Sequence, residues 1–394
     1  MKLLGGIFLI AGTCIGGGML GLPIVTAQSG LFPSTLLFIA CWILMAFTAL
    51  LTLEVTLCFP KGSHIISMAN ATLGHLGKII VWSVYLLFLY SLVAAYVSGG
   101  QDLLSGLLKR IGIEMPLWLA AVSFLIVFGS IVVGGVKQVD LFNRIFMLIK
   151  VISLLLLMIF IASHVSVKNY SQSEFHYLLP AMTVAITSFG FSVIVPTLRY
   201  YFLDDIKKIR LAILIGSFIP LVCYTVWIAV IFGTVPYAGD SSLSQLKNLS
   251  QPLTGLLNAI MFYVPAKNIT LLSGVFTSVC MLTAFVCVSL ALFDYLADGL
   301  KIEKEGVSKI FLTAVTFLPP LAVVIFYPKA FIAFLSLAGV FCILLQAMMP
   351  AMMAWSCRYI KKMSGPYQVA GGKFAIAVSI IVSLVVAVVA GFQL

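Results

Sequence analysis

Small residues interrupt the first apolar segment of the chain. The stretch IAGTCIGGGMLGLP spans residues 10–23 and ends in a proline. Its interrupting residues are Gly12, Thr13, Gly16, Gly17 and Gly18. Glycine destabilises a helix because it loses the most backbone freedom on folding. A helix that breaks here frees N–H groups at one half-helix end and carbonyl groups at the other. Such ends attract a carboxylate and an ammonium group respectively, which are the two poles of an amino acid.

A second interruption has the same layout. The stretch TSFGFSVIVP, residues 187–196, runs from two small polar residues through a glycine to a proline. Interrupted apolar segments at corresponding places in two halves are typical of secondary transporters with inverted repeats. The alternative for the first stretch is close helix packing, for which the spacing of Gly12 and Gly16 is suitable. The matching second break favours a binding site.

The composition predicts that both breaks lie in membrane-spanning helices. The 394 residues are 62% hydrophobic and 9% charged, which leaves too little polar surface for a soluble domain. About 20 apolar residues in a helix cross a bilayer. We therefore predict an all-α polytopic membrane protein with about eleven transmembrane helices. The predicted spans are 3–26, 34–58, 79–105, 117–136, 144–164, 177–198, 210–233, 269–296, 310–327, 331–356 and 373–392.

The breaks divide the chain into two predicted repeats. Residues 1–165 form the first five-helix repeat, with helix 1 interrupted near 12–19, and residues 176–358 form the second, with helix 6 interrupted near 187–192. Residues 359–394 add helix 11. Lysines and arginines concentrate in alternate loops, which predicts a cytoplasmic N-terminus and an external C-terminus. This distribution explains the net charge of +11 without a nucleic-acid partner.

Other chemical motifs are absent from the sequence. The eight cysteines lie in or at the ends of predicted spans, and the four histidines lie in loops or at span ends. Neither set has ligand or disulfide spacing, so we expect no metal and no cofactor. The sequence has no nucleophile elbow, phosphate loop or zinc motif. We therefore expect no enzymatic activity.

Seven ordered motifs extend over nearly the whole chain. They are GTCIGGGMLGLP (12–23), ALLTLEV (49–55), VDLFNRIFMLIK (139–150), TSFGF (187–191), ALFDYLAD (291–298), TFLPPLAVVIFYPKAF (316–331) and GGK (371–373). Together they resemble the bacterial hydroxy and aromatic amino acid permease family, and within it the tyrosine-specific permeases most closely. One position departs from that pattern: after SFGF the chain continues with Ser192 and Val193, where the tyrosine permease has a histidine.

The resemblance implies a fold and an activity. The fold would be a LeuT-type 5+5 inverted repeat plus one extra helix, in the cytoplasmic (inner) membrane of a bacterium. The activity would be import of an aromatic amino acid by proton symport with alternating access. Tyrosine is the favoured substrate, with tryptophan and phenylalanine as alternatives. The implied partners are this amino acid, the proton and the lipid bilayer.

The same resemblance assigns substrate contacts to the two breaks. The N–H groups around Gly16, Gly17 and Gly18 would hold the substrate carboxylate, with Thr13 in the same break. Carbonyl groups near four other residues would receive the amine: Ala11, Gly12, Thr187 and Ser188.

An aromatic substrate also needs an apolar pocket with flat walls. Phe189 and Phe191, on either side of Gly190 in helix 6, are the candidate walls. Tyr90 and Ser91 in helix 3 are candidates to add a phenol and a hydroxyl that face the cavity. The alternative for these aromatic residues is packing against lipid or neighbouring helices.

Two ionisable residues lie inside predicted spans and are candidates for ion coupling. Lys150 follows Arg144 by six residues, which places it about 9 Å deeper along helix 5. Its side chain either extends back to the cytoplasmic surface or faces the bundle, where a desolvated lysine gains and loses a proton during the cycle. Glu54 in helix 2 is a second relay candidate, a partner of Lys61, or an interface residue.

Two other functional classes remain open from the sequence. A passive channel or a non-transporting membrane receptor would use similar helices, although the spans offer few polar residues outside the breaks. A sodium-coupled amino acid symporter would need an ion site made from backbone carbonyls and hydroxyls such as those of Thr13 and Ser289.

Overall fold

The computed structural model describes residues 2–246, 249–327, 331–363 and 365–392, and every secondary-structure element in them is helical. The α-helices are α1 (Lys2–Cys14), α2 (Gly17–Thr26), α3 (Leu31–Leu57), α4 (Ile65–Arg110), α5 (Leu117–Val133), α6 (Val136–Ala162), α7 (Leu178–Ser188), α8 (Val195–Tyr201), α9 (Ile206–Thr234), α10 (Leu243–Leu246), α11 (Pro252–Tyr263), α12 (Lys267–Leu300), α13 (Gly306–Phe326), α14 (Phe331–Ile343), α15 (Met349–Trp355) and α16 (Gly372–Gly391). Two π-helical segments, Leu344–Met348 and Ser356–Ile360, continue α14 and α15.

The helices confirm a polytopic membrane protein. Within the described residues, nine helices are long and apolar enough to cross a membrane, and there are ten if the bent pair α1 and α2 is one span. Helix α5 is shorter, with 17 residues. The number of eleven crossings therefore stays a prediction.

The third predicted span differs most from the structure. It was expected to begin at residue 79, whereas α4 begins at Ile65 and has 46 residues. Gly74 divides α4, because its φ of 77° and ψ of −167° lie outside the helical region. Only glycine adopts such a conformation readily. The helical segment before Gly74 is thus a separate arm at the start of the span.

The first glycine cluster breaks its helix. Helix α1 ends at Cys14, and α2 begins at Gly17 after a bend of 50°. Gly16 has an extended backbone, with φ −150° and ψ −152°, so it interrupts the ladder of helical hydrogen bonds. The break lies inside the predicted interval 12–19.

The second cluster interrupts its helix in the same manner. Helix α7 ends at Ser188, and three non-α-helical residues lead into a short 3₁₀ turn, Ser192–Ile194, before α8 begins. Pro196 lies in the first turn of α8, where its missing N–H costs no helical hydrogen bond. The carbonyl end of α7 and the N-terminus of α2 thus approach each other, and α2 packs on α7.

Polar contacts fasten the elements at the end of the bundle where α1 begins. We call this end the basic end. Asp204 lies 2.8 Å from the Lys61 ammonium and 2.7 Å from Arg199 Nε. Arg199 also donates to the carbonyl groups of Thr56 and Phe59 at the end of α3. Hydrogen bonds from Lys61 and Arg199 lower the pKa of the Asp204 carboxyl. The hydrogen bonds from Arg199 hold α8 against the end of α3.

The opposite end of the bundle is covered by α11. The Asp102 carboxylate, on α4, accepts the backbone N–H of Leu253 at 2.9 Å and that of Thr254 at 3.4 Å. The Thr254 hydroxyl donates to the Asp102 carbonyl oxygen. These bonds satisfy the free N–H groups of the first turn of α11. Helix α11 is thereby fixed to α4.

Candidate binding site at the helix breaks

The two breaks enclose a cavity of about 200 Å³. Its volume is below the range of about 300–1,000 Å³ typical of drug-sized ligand sites. Residues from α1, α2, α4, α6, α7 and α12 line it: Phe8, Leu9, Gly12, Thr13, Cys14, Gly16, Gly17, Gly18, Tyr96, Asn143, Met147, Lys150, Thr187, Ser188, Thr283, Ala284, Cys287 and Val288.

Free N–H groups face this cavity at the N-terminus of α2. In the described chain, no acceptor takes the N–H of Gly16, Gly17 or Gly18. The absence of side chains at Gly17 and Gly18 is what allows α4 and α7 to approach the start of α2. A Cβ on Gly17 would lie 2.5 Å from a carbon of the Tyr96 ring, and one on Gly18 would lie 2.8 Å from Ser188 Oγ. The arrangement can bind a carboxylate.

A buried tyrosine joins the carbonyl ends of the two broken helices. The Tyr224 hydroxyl, on α9, lies 2.7 Å from the carbonyl oxygen of Cys14 and 2.8 Å from that of Ser188. A phenol has one proton, so it donates to one of these carbonyls at a time. Tyr224 therefore couples the end of α1 to the end of α7.

The remaining carbonyl groups at the breaks differ in availability. The Ala11 carbonyl accepts the Ile15 N–H, and the Thr187 carbonyl accepts the Gly190 N–H. No N–H of the described residues donates to the carbonyl of Gly12 or Thr13. These two oxygens are thus free to accept from an ammonium group.

Lys150 lies inside the bundle and does not extend to the basic end. Its side chain is 2% exposed, and Nζ donates to the Ile15 carbonyl oxygen at 2.6 Å. Ile15 is one of the two residues between α1 and α2. The structure therefore brings Lys150 to the predicted break in helix 1.

Glu54 lies elsewhere, near the basic end. It forms a two-bond ion pair with Arg358, at 2.5 Å for each bond, and accepts the Val369 N–H at 2.8 Å. Its expected partner Lys61 lies in the exposed loop after α3 and instead pairs with Asp204. Glu54 does not line the cavity.

Six other predicted site residues do not line the cavity. Tyr90 donates to the Val315 carbonyl at 2.8 Å, and Ser91 donates within its own helix. Phe189 is fully buried, with its ring centroid 5.1 Å from that of Tyr224. The complete set outside the lining is Ala11, Tyr90, Ser91, Phe189, Gly190 and Phe191.

Several residues of the cavity and of the helix breaks were missed from the sequence. Tyr96 lies six residues after the predicted Tyr90 on the same helix and therefore on another face. Met147 and Asn143 precede Lys150 by one and two helical turns, so the position of Lys150 was a usable signal. Tyr224 had a weaker signal: a tyrosine inside an apolar span needs a hydrogen-bond partner.

The two sides of the cavity differ in exposure. Phe8 and Leu9, on the basic side, are 62% and 43% exposed. On the other side Gly17, Gly18 and Tyr96 are buried beneath α2 and α4. The cavity is therefore covered by protein at α2 and α4, and its exposed side lies at α1.

Comparisons with known proteins show the family of this chain. The model of the tryptophan/tyrosine permease family matches residues 1–390. This chain belongs to that family. It is 34% identical over 389 residues to the tyrosine-specific transport system 2 of Haemophilus influenzae, with 98% of this chain and 95% of the relative covered.

Other relatives in the comparison are named for different amino acids. A tryptophan-specific transport protein of Haemophilus influenzae is 29% identical, with 95% of this chain and 92% of the relative covered. The glutamine transporter 2 of Aliivibrio fischeri is also 29% identical, with 97% of each chain covered. The chain is thus a multi-pass membrane protein whose relatives are transport proteins.

Proposed function

We propose that the chain imports an aromatic amino acid, with tyrosine favoured over tryptophan and phenylalanine, by proton symport with alternating access. Membership of the tryptophan/tyrosine permease family supports the substrate class. The paired breaks support a LeuT-type 5+5 inverted repeat in residues 1–165 and 176–358, with an additional helix in 359–394. The loop charges support a bacterial inner-membrane location with the basic end in the cytoplasm and the C-terminus outside.

The substrate head group binds between the breaks. Its carboxylate accepts the N–H groups of Gly17 and Gly18, at the positive end of the α2 dipole. Its ammonium group donates to the free carbonyls of Gly12 and Thr13. No charged side chain is needed for the carboxylate, because the backbone supplies the complementary charge.

The aromatic side chain extends towards the exposed side. Tyr96 gives the cavity an aromatic wall, and Met147 on α6 offers a flexible apolar one. Tyr96 lines the cavity and its hydroxyl has no hydrogen bond among the described residues, so we assign it to a polar substituent of the substrate. Because 200 Å³ is small for tyrosine, the ring occupies the exposed side at α1.

The contact between Lys150 and Ile15 carries the proposal of proton coupling. A protonated Lys150 makes a charge-assisted hydrogen bond to the carbonyl end of α1, and loss of the proton weakens that bond. The conformation of the break is thereby linked to the protonation of Lys150. Release of α1 from α6 would then accompany proton release to the cytoplasm.

Sodium coupling is less compatible with this arrangement. The Lys150 ammonium occupies the Ile15 carbonyl that a bound cation would use, and two cations repel strongly in a low-dielectric site. The Thr13 hydroxyl is already bonded to the Leu9 carbonyl, and Ser289 does not line the cavity. A passive channel is disfavoured because Gly17, Gly18 and Tyr96, on the far side of the cavity from Phe8, are buried.

Uptake into proteoliposomes tests the proposal. A pH gradient, acidic outside, should drive radiolabelled tyrosine to accumulate above its external concentration, and a sodium gradient alone should not. Unlabelled tryptophan and phenylalanine should compete, whereas glutamine and alanine should not. Equilibration without accumulation would indicate a channel, absence of uptake with retained binding would indicate a receptor, and preferential uptake of glutamine would refute the aromatic assignment.

A further inference from the structure

A second cavity lies at the basic end and shares no lining residue with the first. Its volume is about 630 Å³, within the range of about 300–1,000 Å³ typical of sites for small organic ligands. It lies among the loop before α4 and helices α3, α4, α8 and α12. Ser192 lines it while Ser188 lines the first, so the break in helix 6 separates the two. We call it the vestibule cavity.

Three aromatic side chains form the inner wall of the vestibule cavity. Trp82 and Tyr85 come from α4, and Tyr295 comes from α12. The ring centroid of Tyr295 lies 4.9 Å from that of Tyr85 and 6.2 Å from that of Trp82. The Tyr295 hydroxyl donates to the Trp82 carbonyl at 2.8 Å, which fixes the two helices at this point. The rings thus form a rigid surface on which a planar apolar group can pack.

Two opposite charges lie at the rim of the same cavity. Lys78 precedes Trp82 by four residues and Asp298 follows Tyr295 by three, so each charge lies on the helical face that carries the rings. Both are exposed, and neither forms an ion pair within the described chain. Lys78 lies about 6 Å along the axis of α4 from Trp82.

We propose that the vestibule cavity is a second binding site for an aromatic amino acid, filled from the basic end. This inference rests on the proposed function for the substrate class. The ring packs on Trp82, Tyr85 and Tyr295. The carboxylate pairs with Lys78 and the ammonium group with Asp298. Along both helices the rings lie further inside the cavity than the charges. An amino acid that enters with its side chain first has the same order of groups.

The vestibule cavity differs chemically from the site at the breaks. There the backbone supplies both poles, whereas here two exposed side chains supply them. Exposed ion pairs are weak because water and salt screen them, so this site is the weaker one and is occupied at higher concentration. The vestibule cavity would therefore be occupied in protein molecules that have released substrate, as the amino acid accumulates in the cytoplasm.

Equilibrium binding of radiolabelled tyrosine to the purified chain tests the inference. The unmodified chain should bind two molecules, one tighter than the other. Lys78→Gln combined with Asp298→Asn should weaken the second site about tenfold and leave the first unchanged. Gly17→Ala should remove the first site and leave the second. Alanine, which has the head group without the ring, should not displace tyrosine from the second site.

One control variant and two further outcomes separate the vestibule site from the proposed function. Lys301→Gln removes an exposed charge at the end of α12, outside the cavity, and should leave both sites unchanged. A single site that Gly17→Ala removes and the double variant leaves intact would overturn the vestibule site and leave the proposed function standing. Absence of tyrosine binding in the unmodified, folded chain would overturn both.

Discussion

Gly17 packs directly against the ring of Tyr96: a Cβ on Gly17 would lie 2.5 Å from the Tyr96 ring carbon Cε1. The absence of a side chain at Gly17 thus lets α4 approach the N-terminus of α2. The same approach brings the Tyr96 ring to the wall of the cavity and closes it on that side.

Gly17→Ala should reduce tyrosine affinity by at least tenfold, because the new methyl group displaces the Tyr96 ring towards the substrate. The matched control is Gly16→Ala, whose Cβ would lie 3.8 Å from the nearest atom, a carbon of Ala284, in ordinary van der Waals contact. Its extended backbone suits any residue. Titration of purified variants with tyrosine measures the affinity of each. Equal losses of affinity in Gly17→Ala and Gly16→Ala would refute the steric explanation.

Lys150→Met should abolish accumulation driven by a pH gradient while retaining exchange of tyrosine across the membrane. The substitution keeps an unbranched apolar side chain but removes the amine that bonds Ile15. Lys137→Met, an exposed lysine near the start of the same helix, is the control and should transport normally. Normal accumulation by Lys150→Met would show that Lys150 has only a structural role.

Tyr224→Phe should destabilise the fold by about 1–3 kcal/mol, because it removes the one donor that the buried carbonyl groups at the two breaks share. It should also weaken tyrosine binding, since the ends of α1 and α7 are no longer joined. Tyr90→Phe removes a hydroxyl bonded to the Val315 carbonyl and should leave affinity unchanged. Thermal unfolding and tyrosine titration compare the stability and the affinity of the two variants. Unchanged affinity in Tyr224→Phe would exclude a role in organising the site.

Glu54→Gln should destabilise the protein by about 3–5 kcal/mol, because it leaves the Arg358 charge buried without a counter-charge. Combining it with Arg358→Met should restore part of the stability, since the unpaired charge is then gone. The measurement is thermal unfolding of purified variants. A stable Glu54→Gln protein that has lost proton-driven accumulation would contradict this structural role and favour the predicted relay.

The sequence determined the membrane architecture and the position of both breaks. Apolar runs separated by charged loops leave no alternative to membrane-spanning helices, and glycine clusters followed by a proline destabilise helix locally, whatever surrounds them. Gly12, Gly16, Gly17 and Gly18 were therefore predictable as cavity residues. The position of Lys150 within a span was equally local information.

Only the tertiary structure decided which side chains face the cavity. In a helix bundle, nearly every residue of a span is apolar, so periodicity does not distinguish a face that packs on a neighbour from one that lines a site. Tyr90 and Phe191 were chosen for their chemistry, yet Tyr96 and Tyr224 reach the breaks. Contacts between residues more than a hundred positions apart, such as Lys150 with Ile15 and Arg358 with Glu54, depend on how the helices pack. No local pattern encodes that packing.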